Sequence, residues 1–327
     1  MEQSSRKRHT RHNLKKGLTL GLIVAISGLL LASSPWGRWL EEEIGLSWLF
    51  SVRGPQVAPP EVVVVSIDQD SSAKLELENK PRKWPRVLHA QLVNKLAKKG
   101  VSAIGFDIIF DEPRDPEHNQ AFAEQMRKAS NVILFQYLRQ ENITVDTRQT
   151  VHIEKLVLPV KVLKDNALGM APFPLPKVPA KVNHFLLYKP SLGDAPTMPV
   201  VLMQTYALPV YDELYHLLAS RIPEQLAGLP GSQQQLVSQR EIHVTTKKLR
   251  QLFRDNPQLG EQLLRQVETN AANYNTQQQR LLTTLINTYT TPHSRYLNFY
   301  GPARSIQTIP YHEVLFNEQL DLTGKVV

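Results

Sequence analysis

The stretch VVVVSIDQDS at residues 62–71 decides the fold class. It opens with a continuous run of mainly β-branched residues, which is typical of a strand buried on both faces of a sheet. Residues 85–100 predict a helix, because leucines recur at four-residue spacing and a glycine ends the segment. AIGFDIIF at 103–110 and NVILFQY at 131–137 predict two further strands, with a second helix near 117–129. This alternation predicts an α/β fold in which a mostly parallel sheet is flanked by helices.

The second half of the chain carries weaker patterns. Residues 157–200 are rich in proline and predict extended loops, with a strand at 185–188. Apolar stripes between about 200 and 290 predict a helical insertion, and residues 296–300 predict a return to strand. No motif repeats at a fixed period, which argues against a solenoid.

The last residues, LDLTGKVV at 320–327, have the pattern of a turn followed by the start of a buried strand. A strand of two residues would have little to stabilise it. We therefore expect the natural chain to continue beyond Val327, with the C-terminal end of the domain incomplete in this sequence.

Charge and cysteine content exclude several classes of function. The 327 residues carry 38 Lys+Arg against 30 Asp+Glu, a net charge of +8, and the hydrophobic fraction of 42% excludes wholesale disorder. Residues 1–16 hold six of the basic side chains against Glu2 alone. A nucleic-acid-binding domain would spread its basic charge over the folded surface, so we expect no nucleic-acid partner. The absence of cysteine excludes disulfides, thiol nucleophiles and iron–sulfur clusters.

The basic tail precedes an apolar segment. Residues 17–34, GLTLGLIVAISGLLLASS, carry no charge and are long enough to cross a membrane. The positive-inside rule predicts a cytoplasmic tail at 1–16, a transmembrane helix at 17–34, and an extracytoplasmic domain from residue 41. Trp36 and Trp39 follow as interface anchors. A cleaved signal peptide is the alternative, although the apolar run exceeds the usual length of a signal core, which favours an uncleaved anchor.

Five blocks in order along the chain carry a family resemblance: FSVRGP (50–55), VVVVSIDQDS (62–71), the segment 83–115, NVIL (131–134) and RYLNFYGPARSIQTIPYHEVL (295–315). Together they resemble the type-two CHASE extracellular sensory domain, which would cover residues 41–327. The resemblance implies a mainly bacterial sensor in the inner membrane, with its main domain periplasmic or extracellular. It also implies further membrane helices and a cytoplasmic output module. That module would be an adenylate or guanylate cyclase in the first place, and a histidine or serine/threonine kinase as the alternative.

Nine polar residues near predicted strand ends are candidates for ligand binding, since ligands of open parallel sheets bind beyond the carboxyl ends of the strands. They are Asp68, Asp70, Ser71, Arg86, His89, Asp107, Asp111, Asn298 and Tyr300. For Asp70 and Ser71, capping of the following turn is the alternative. For Asn298 and Tyr300, packing beside a turn is equally compatible with the sequence.

Asp107 stands out because it interrupts an apolar strand. A buried carboxylate is costly unless it is paired, and Arg86 or His89 on the preceding helix could pair with it. Such a pair would more often be a structural lock than a ligand site. Phe106-Asp107-Ile108 also resembles the metal-binding stretch of nucleotide cyclases, but no matching second aspartate follows, so we reject that interpretation.

Other enzyme signatures are absent from the sequence. There is no glycine-rich phosphate loop, no His-Glu-x-x-His zinc motif and no Gly-x-Ser-x-Gly elbow. We assign no catalytic residue, metal ligand or cofactor. Three functions stay open. The first is a sensory input domain that responds to an unknown extracytoplasmic ligand or stimulus and is expected to be a homodimer. The second is an extracytoplasmic hydrolase that uses Asp68 and Asp107, and the third is a structural scaffold anchored in the membrane.

Overall fold

The computed structural model describes residues 2–146, 149–175 and 182–327. Their α-helices are α1 Glu2–Ser33, α2 Pro35–Trp39, α3 Leu46–Arg53, α4 Gln69–Lys74, α5 Arg86–Lys98, α6 Pro116–Ala129, α7 Lys161–Lys164, α8 Met198–Tyr206, α9 Tyr211–Ala219, α10 Gln233–Gln239, α11 Ile242–Asp255, α12 Leu259–Thr269, α13 Thr276–Thr290 and α14 Tyr311–Phe316. Their strands are β1 Val64–Ser66, β2 Ile104–Phe106, β3 Val132–Asp146, β4 Gln149–Val157, β5 Gly169–Pro172, β6 His184–Leu186, β7 Tyr188–Lys189, β8 Ala195–Pro196, β9 Ser294–Tyr296 and β10 Thr308–Pro310.

The N-terminal helix α1 contains an apolar segment, Lys16–Ser33, that is long enough to cross a membrane and is not buried by the rest of the chain. This finding is consistent with the predicted anchor at 17–34. The helix ends at Ser33, and the next residue, Ser34, accepts a hydrogen bond from the Gly37 amide at its Oγ, at 3.1 Å, and caps α2. A π-helical segment, Leu40–Gly45, then joins α2 to α3. The apolar segment is thus followed, after the break at Ser34, by helical segments up to the end of α3.

The centre of the domain is a layer of parallel strands. β1 pairs with β10, and β3 pairs with both β2 and β5, all in parallel. Val326 bridges the two groups, because it pairs in parallel with Val62 before β1 and with Ala103 before β2. The strand order is therefore β10, β1, the segment at Val326, β2, β3 and β5.

Antiparallel pairing dominates outside this layer. The second part of β3 forms a hairpin with β4, and the pairs β6–β9 and β7–β8 are also antiparallel. Three of the six strand pairs in the described residues are antiparallel, so the prediction of a mostly parallel sheet holds only for the central layer. Only a few residues separate β3 from β4 and β7 from β8, which leaves no room for the crossover that parallel pairing needs. This reason does not apply to β6 and β9, which lie more than 100 residues apart along the chain.

Helices cover both faces of the central layer. On one face, α5, α6 and α14 bury apolar side chains that include Val93, Leu96, Phe122, Met126 and Val314. On the other face, α8 to α13 form a second apolar core that contacts the sheet at Ile133, Leu168 and Ala171. The helices from Met198 to Thr290 agree with the helical insertion that the apolar stripes predict. Residues 176–181 of the predicted extended region lie outside the described residues.

Several element boundaries differ from the sequence predictions, mainly in strands, because the ends of a strand depend on the strands it pairs with. β1 and β2 are three residues each, shorter than the predicted 62–67 and 103–110, while β3 continues well past residue 137. The predicted strand at 296–300 is instead β9, Ser294–Tyr296, so Asn298 and Tyr300 follow the strand. Pro85 is the N-cap of α5 and not its first helical residue.

Candidate functional site

A cavity of about 1270 Å³ lies between β1 and β2; we call it the cleft. Its walls are mainly apolar side chains of the two strand segments and of the helices on both faces of the sheet, including Val65, Ile67, Leu92, Leu96, Ile104, Phe106, Leu202, Met203, Tyr206 and Leu281. Glu61, Asp107 and Arg280 line it with charged side chains, and Arg280 Nη1 lies 3.0 Å from Glu61 Oε1.

Asp107 is the sequence-predicted site residue that lines the cleft. It follows β2 directly, and its side chain is exposed to the cleft although apolar neighbours surround it. Partial burial raises the pKa of its carboxyl group. The predicted pairing with Arg86 or His89 does not form, because both of these side chains bind other groups. Among the described residues, no hydrogen bond or ion pair satisfies the Asp107 carboxylate.

Arg86 is buried at the first turn of α5 and holds the loop that follows β2. Its Nη1 donates to Asn119 Oδ1, and its Nη2 donates to the Glu112 carbonyl at 2.7 Å. The guanidinium also lies 5.5 Å from the centre of the Phe110 ring. Burial lowers the pKa of Arg86 to about 10. These contacts make Arg86 a structural residue of the α5–α6 face.

His89 is enclosed by aromatic rings. The centroids of Phe106, Phe110 and Phe122 lie 5.7, 5.5 and 5.7 Å from the imidazole, and Nδ1 is 3.0 Å from the Tyr311 hydroxyl. Burial lowers the pKa of His89 to about 3, with a smaller contribution from the charge of Arg86. His89 is therefore a neutral imidazole of the core near pH 7.

Asp68 caps α4. One carboxylate oxygen accepts from the Ser71 amide at 2.9 Å and the other from Ser66 Oγ at 2.8 Å. Partial burial favours the protonated carboxyl group, but these hydrogen bonds outweigh it and hold the pKa of Asp68 below the ordinary value. Ser71 is buried, and its Oγ lies 3.1 Å from His312 Nδ1. Asp70 is exposed in the first turn of the helix. The residue that caps this turn is therefore Asp68, and not Asp70 or Ser71 as the capping alternative had it.

Asp111 makes a surface ion pair, since its Oδ1 lies 3.4 Å from Arg82 Nη2. It does not line the cleft. The sequence analysis predicted one site for residues that the structure separates. Asp107 lies in the cleft, whereas Asp68 caps α4, Asp111 forms an ion pair with Arg82, and Arg86 holds the loop that follows β2.

Asn298 and Tyr300 belong to a different place, where α3 and the residues that follow it meet the rest of the domain. Arg53, the last residue of α3, donates from Nη1 to Asn298 Oδ1 at 2.5 Å and from Nη2 to the Phe299 carbonyl. The Gln56 amide donates to the Tyr300 carbonyl at 2.7 Å. The rings of Phe50 and Phe299 meet edge to face, with centroids 5.4 Å apart. We call the contact of residues 42–56 with residues 183–184 and 297–300 the junction.

A second cavity, of about 640 Å³, lies inside the junction. Leu46 and Phe50 of α3 line one side, and Phe173, Leu297 and Phe299 line the other. At the opposite end of the contact, Asn183 Nδ2 donates to the Glu42 carbonyl at 3.0 Å. Residues 42–56 thus contact the rest of the domain at two ends, with the second cavity between them.

Sequence reasoning missed Arg53 and a buried charge cluster at Asp194. Arg53 lies in the block FSVRGP, but nothing in that block says which distant residues it contacts. Asp194 lies at positive φ in the proline-rich region, and its carboxylate is within 2.7 Å of both Arg254 Nη1 and His293 Nε2. In the described residues no group of three histidine or acidic side chains could hold a metal ion.

Replacing Arg53 by alanine is expected to loosen the junction and leave the domain folded. The change removes two charge-assisted hydrogen bonds at an exposed site, each worth about 1 kcal/mol or less. Hydrogen–deuterium exchange of peptides covering residues 46–56 should become about three- to tenfold faster. Arg53→Lys should give an intermediate result, because an ammonium group cannot span both acceptors.

Arg221→Ala is the matched control, because Arg221 is another exposed arginine with a single side-chain acceptor, Gln266. It should leave exchange at residues 46–56 unchanged. Equal exchange in Arg53→Ala and the unmodified chain would show that the junction does not depend on this side chain.

The chain matches the family model of the CHASE2 domain over residues 21–327, which is nearly its whole length. No curated protein matches the chain, and no solved structure matches it.

Proposed function

The chain belongs to the CHASE2 domain family, the extracellular sensory domain of signalling receptors, and on that premise we propose that it is the extracytoplasmic input region of a bacterial transmembrane receptor. The observation that supports this assignment most directly is the helical path from the apolar segment of α1 to the junction. A change in the domain that alters the junction would move the helix that enters the membrane.

We propose a cytoplasmic tail at 1–16, a transmembrane helix at 17–34 and a sensor domain at 41–327, in the inner membrane. The positive-inside rule supports this orientation, because the basic residues cluster before the apolar segment. The main domain would then lie in the periplasm or outside the cell.

A stimulus can act only through a difference in its free energy of interaction with two states of the domain. About 1–3 kcal/mol of coupling would change the output 5- to 150-fold. One route in the structure starts at Asp194, which binds Arg254 of α11 and His293. His293 directly precedes β9, and the residues that follow β9 contact Arg53 of α3. We propose that the helical region signals to α3 along this route.

For the output we propose an adenylate or guanylate cyclase, with a histidine or serine/threonine kinase as the second candidate. The family resemblance supports both. The test is an assay of membranes from cells that carry the native gene, with ATP and GTP as substrates. Formation of cyclic nucleotide supports the cyclase, and phosphoryl transfer to protein supports the kinase. Membranes with neither activity would contradict a receptor that contains its own output module.

We further propose a homodimer. Trp36, Ile44, Trp48 and Val52 expose large apolar side chains along the helical path from α2 to α3. A second copy of this helix would cover them. Because the chain has no cysteine, Val52→Cys introduces a single thiol, and oxidation should give a disulfide-linked dimer in membranes. Ser238→Cys, on the exposed end of α10, is the control that should stay monomeric; an uncrosslinked Val52→Cys would contradict a dimer through this helix.

A hydrolase is the alternative from another class, and the site geometry gives it little support. Asp107 lines the cleft, but Asp68 does not, and the two oxygens of Asp68 accept hydrogen bonds from Ser66 and Ser71. An acid–base pair needs both groups at the same substrate. Hydrolytic turnover by the purified chain that is lost in Asp107→Asn would favour this alternative.

A further inference from the structure

Glu42 and His184 face each other across the junction. Glu42 lies in the π-helical segment Leu40–Gly45, and His184 is the first residue of β6. Oε1 of Glu42 is 3.9 Å from Nε2 of His184, and each side chain is 22% exposed. The Glu42 carbonyl also accepts the hydrogen bond from Asn183. The start of β6 and the residue before it therefore contact both the side chain and the backbone of Glu42.

The surroundings of His184 are acidic and aromatic. Its ring lies against the ring of Tyr296 on β9, with centroids 4.1 Å apart and planes tilted by 34°. Burial raises the pKa of Tyr296, and the negative charges of Glu41 and Glu42 raise it further, so both carboxylates lie near this pair of rings. Arg295, the neighbour of Tyr296 on β9, donates to Thr291 instead. In the described part of the chain, neither glutamate forms an ion pair with lysine or arginine.

A proton on His184 would strengthen both of its contacts. At 3.9 Å a neutral imidazole makes neither an ion pair nor a hydrogen bond with the Glu42 carboxylate. An imidazolium attracts that carboxylate by its charge, and it also attracts the face of the Tyr296 ring. Histidine is the side chain that ordinarily changes its charge between about pH 5 and pH 8. Acidification through this range would therefore tighten the contact of the π-helical segment with β6 and β9.

The π-helical geometry makes this contact able to alter the direction of the helices. The Leu46 amide donates to the Glu41 carbonyl, five residues earlier, whereas an α-helix uses a spacing of four. Such turns are rare and are frequent at functional sites. Conversion of Leu40–Gly45 to an α-helix would rotate α2 against α3 by about 100° around the helix axis, the angle of one residue. The domain contacts this segment at Glu42, in its middle.

We propose that His184 is a pH-sensitive switch that ties the π-helical segment to the domain when it is protonated and releases it when it is neutral. This inference rests on the proposed function, since it names the proton outside the cytoplasm as a stimulus of the sensor. The contact of His293 with Asp194 is a poorer switch. Arg254 also binds Asp194, so that carboxylate keeps a cationic partner whether or not His293 is charged.

The test is hydrogen–deuterium exchange of the detergent-solubilised chain at pH 7.5 and pH 5.5, with each rate corrected for the chemical exchange rate at that pH. We expect the protection of peptides covering residues 40–53 to rise about three- to fivefold at pH 5.5. His184→Gln should abolish the rise because it removes the proton site. Glu42→Gln should abolish it because it removes the counter-charge. Peptides of α5 should exchange equally in all variants at pH 7.5, which reports that the domain is folded.

His118→Gln is the matched control, because His118 is a histidine beside a carboxylate, Asp115, at the start of α6. This variant should keep the rise. A rise that persists in His184→Gln would overturn the proposal, as would unchanged or lower protection of residues 40–53 at pH 5.5 in the unmodified chain. None of these outcomes depends on how the chain lies in a membrane, so the switch can fail while the sensory assignment stands.

Discussion

Replacing Asp194 by alanine is expected to lower the free energy of unfolding by about 3–5 kcal/mol, because it leaves a buried arginine without a counter-charge. Asp194 is 7% exposed and lies within 3.5 Å of Arg250 Nε, while Arg250 itself is 5% exposed. Burial alone would raise the pKa of Asp194, but Arg254, His293 and Arg250 outweigh it and hold the pKa below the ordinary value. Urea unfolding of the detergent-solubilised chain, followed by tryptophan fluorescence, measures the loss.

Two variants separate this mechanism from a general loss of charge. Asp165→Ala removes a more exposed carboxylate that pairs with Lys161 one turn away, and it should cost less than about 0.5 kcal/mol. Adding Arg250→Met to Asp194→Ala removes the unpaired charge and should recover more than half of the lost stability. A cost below 1 kcal/mol for Asp194→Ala alone would contradict a structural role of this cluster.

Acidification from pH 7 to pH 4.5 is expected to destabilise the domain by about 2–3 kcal/mol through His89 alone. The folded state holds the pKa of His89 at about 3, against an ordinary value of 6.5. The unfolded chain therefore binds a proton in this range and the folded chain does not. The stabilising effect of the neutral imidazole is complete above pH 6.5 and is lost as the pH falls towards 3. Burial lowers the pKa of His243 as well, which adds to the effect with the same sign.

The measurement is urea unfolding at several pH values between 4.5 and 7.5. His89→Asn keeps a polar atom near the Tyr311 hydroxyl but cannot titrate, so its stability should depend less on pH by about 1 kcal/mol per pH unit. His118→Asn is the matched control, because it makes the same substitution at the start of α6, away from the aromatic rings that surround His89. Parallel pH profiles of His89→Asn and the unmodified chain would refute the assignment of the acid sensitivity to His89.

The sequence predicted those elements that depend on local pattern. The leucine spacing of α5 and the apolar positions Phe122 and Met126 of α6 each place one helical face against the sheet, and both helices formed close to their predicted bounds. The β-branched run at Val64 and Val65 likewise formed a strand. These signals lie within one segment and need no knowledge of the partner.

The sequence could not predict which segments become neighbours. β1 pairs with β10, more than 240 residues later, and with Val326 on its other side. A strand that is apolar on both faces can pair with any other such strand, so the pattern leaves its neighbours open. The bounds of β1 and β2 follow from the same fact, because they coincide with the residues that pair with β10 and β3.

The contacts of the candidate site residues could not be predicted for an equivalent reason. Asp107 was predicted to be buried and paired, because apolar residues flank it, but the structure places it after the end of β2 and exposes it to the cleft. Arg86 binds the side-chain amide of Asn119 and a backbone carbonyl, and His89 contacts the phenol of Tyr311. All three partners are uncharged, so pairing of opposite charges could not predict them. Asn298 contacts Arg53 at the end of α3, and Tyr300 contacts Gln56 just beyond it, since the loop after β9 turns towards α3.

Labelling of single cysteines in spheroplasts tests most directly that this chain is an extracytoplasmic sensor on an uncleaved membrane helix. Residues 1–327 contain no cysteine, so in this chain Ser5→Cys in the tail and Ser238→Cys in the domain each carry the only thiol. The account predicts that a membrane-impermeant maleimide labels Ser238→Cys in intact spheroplasts and labels Ser5→Cys only after lysis. Labelling of Ser5→Cys in intact spheroplasts, protection of Ser238→Cys, or release of a domain that lacks residue 5 would contradict it.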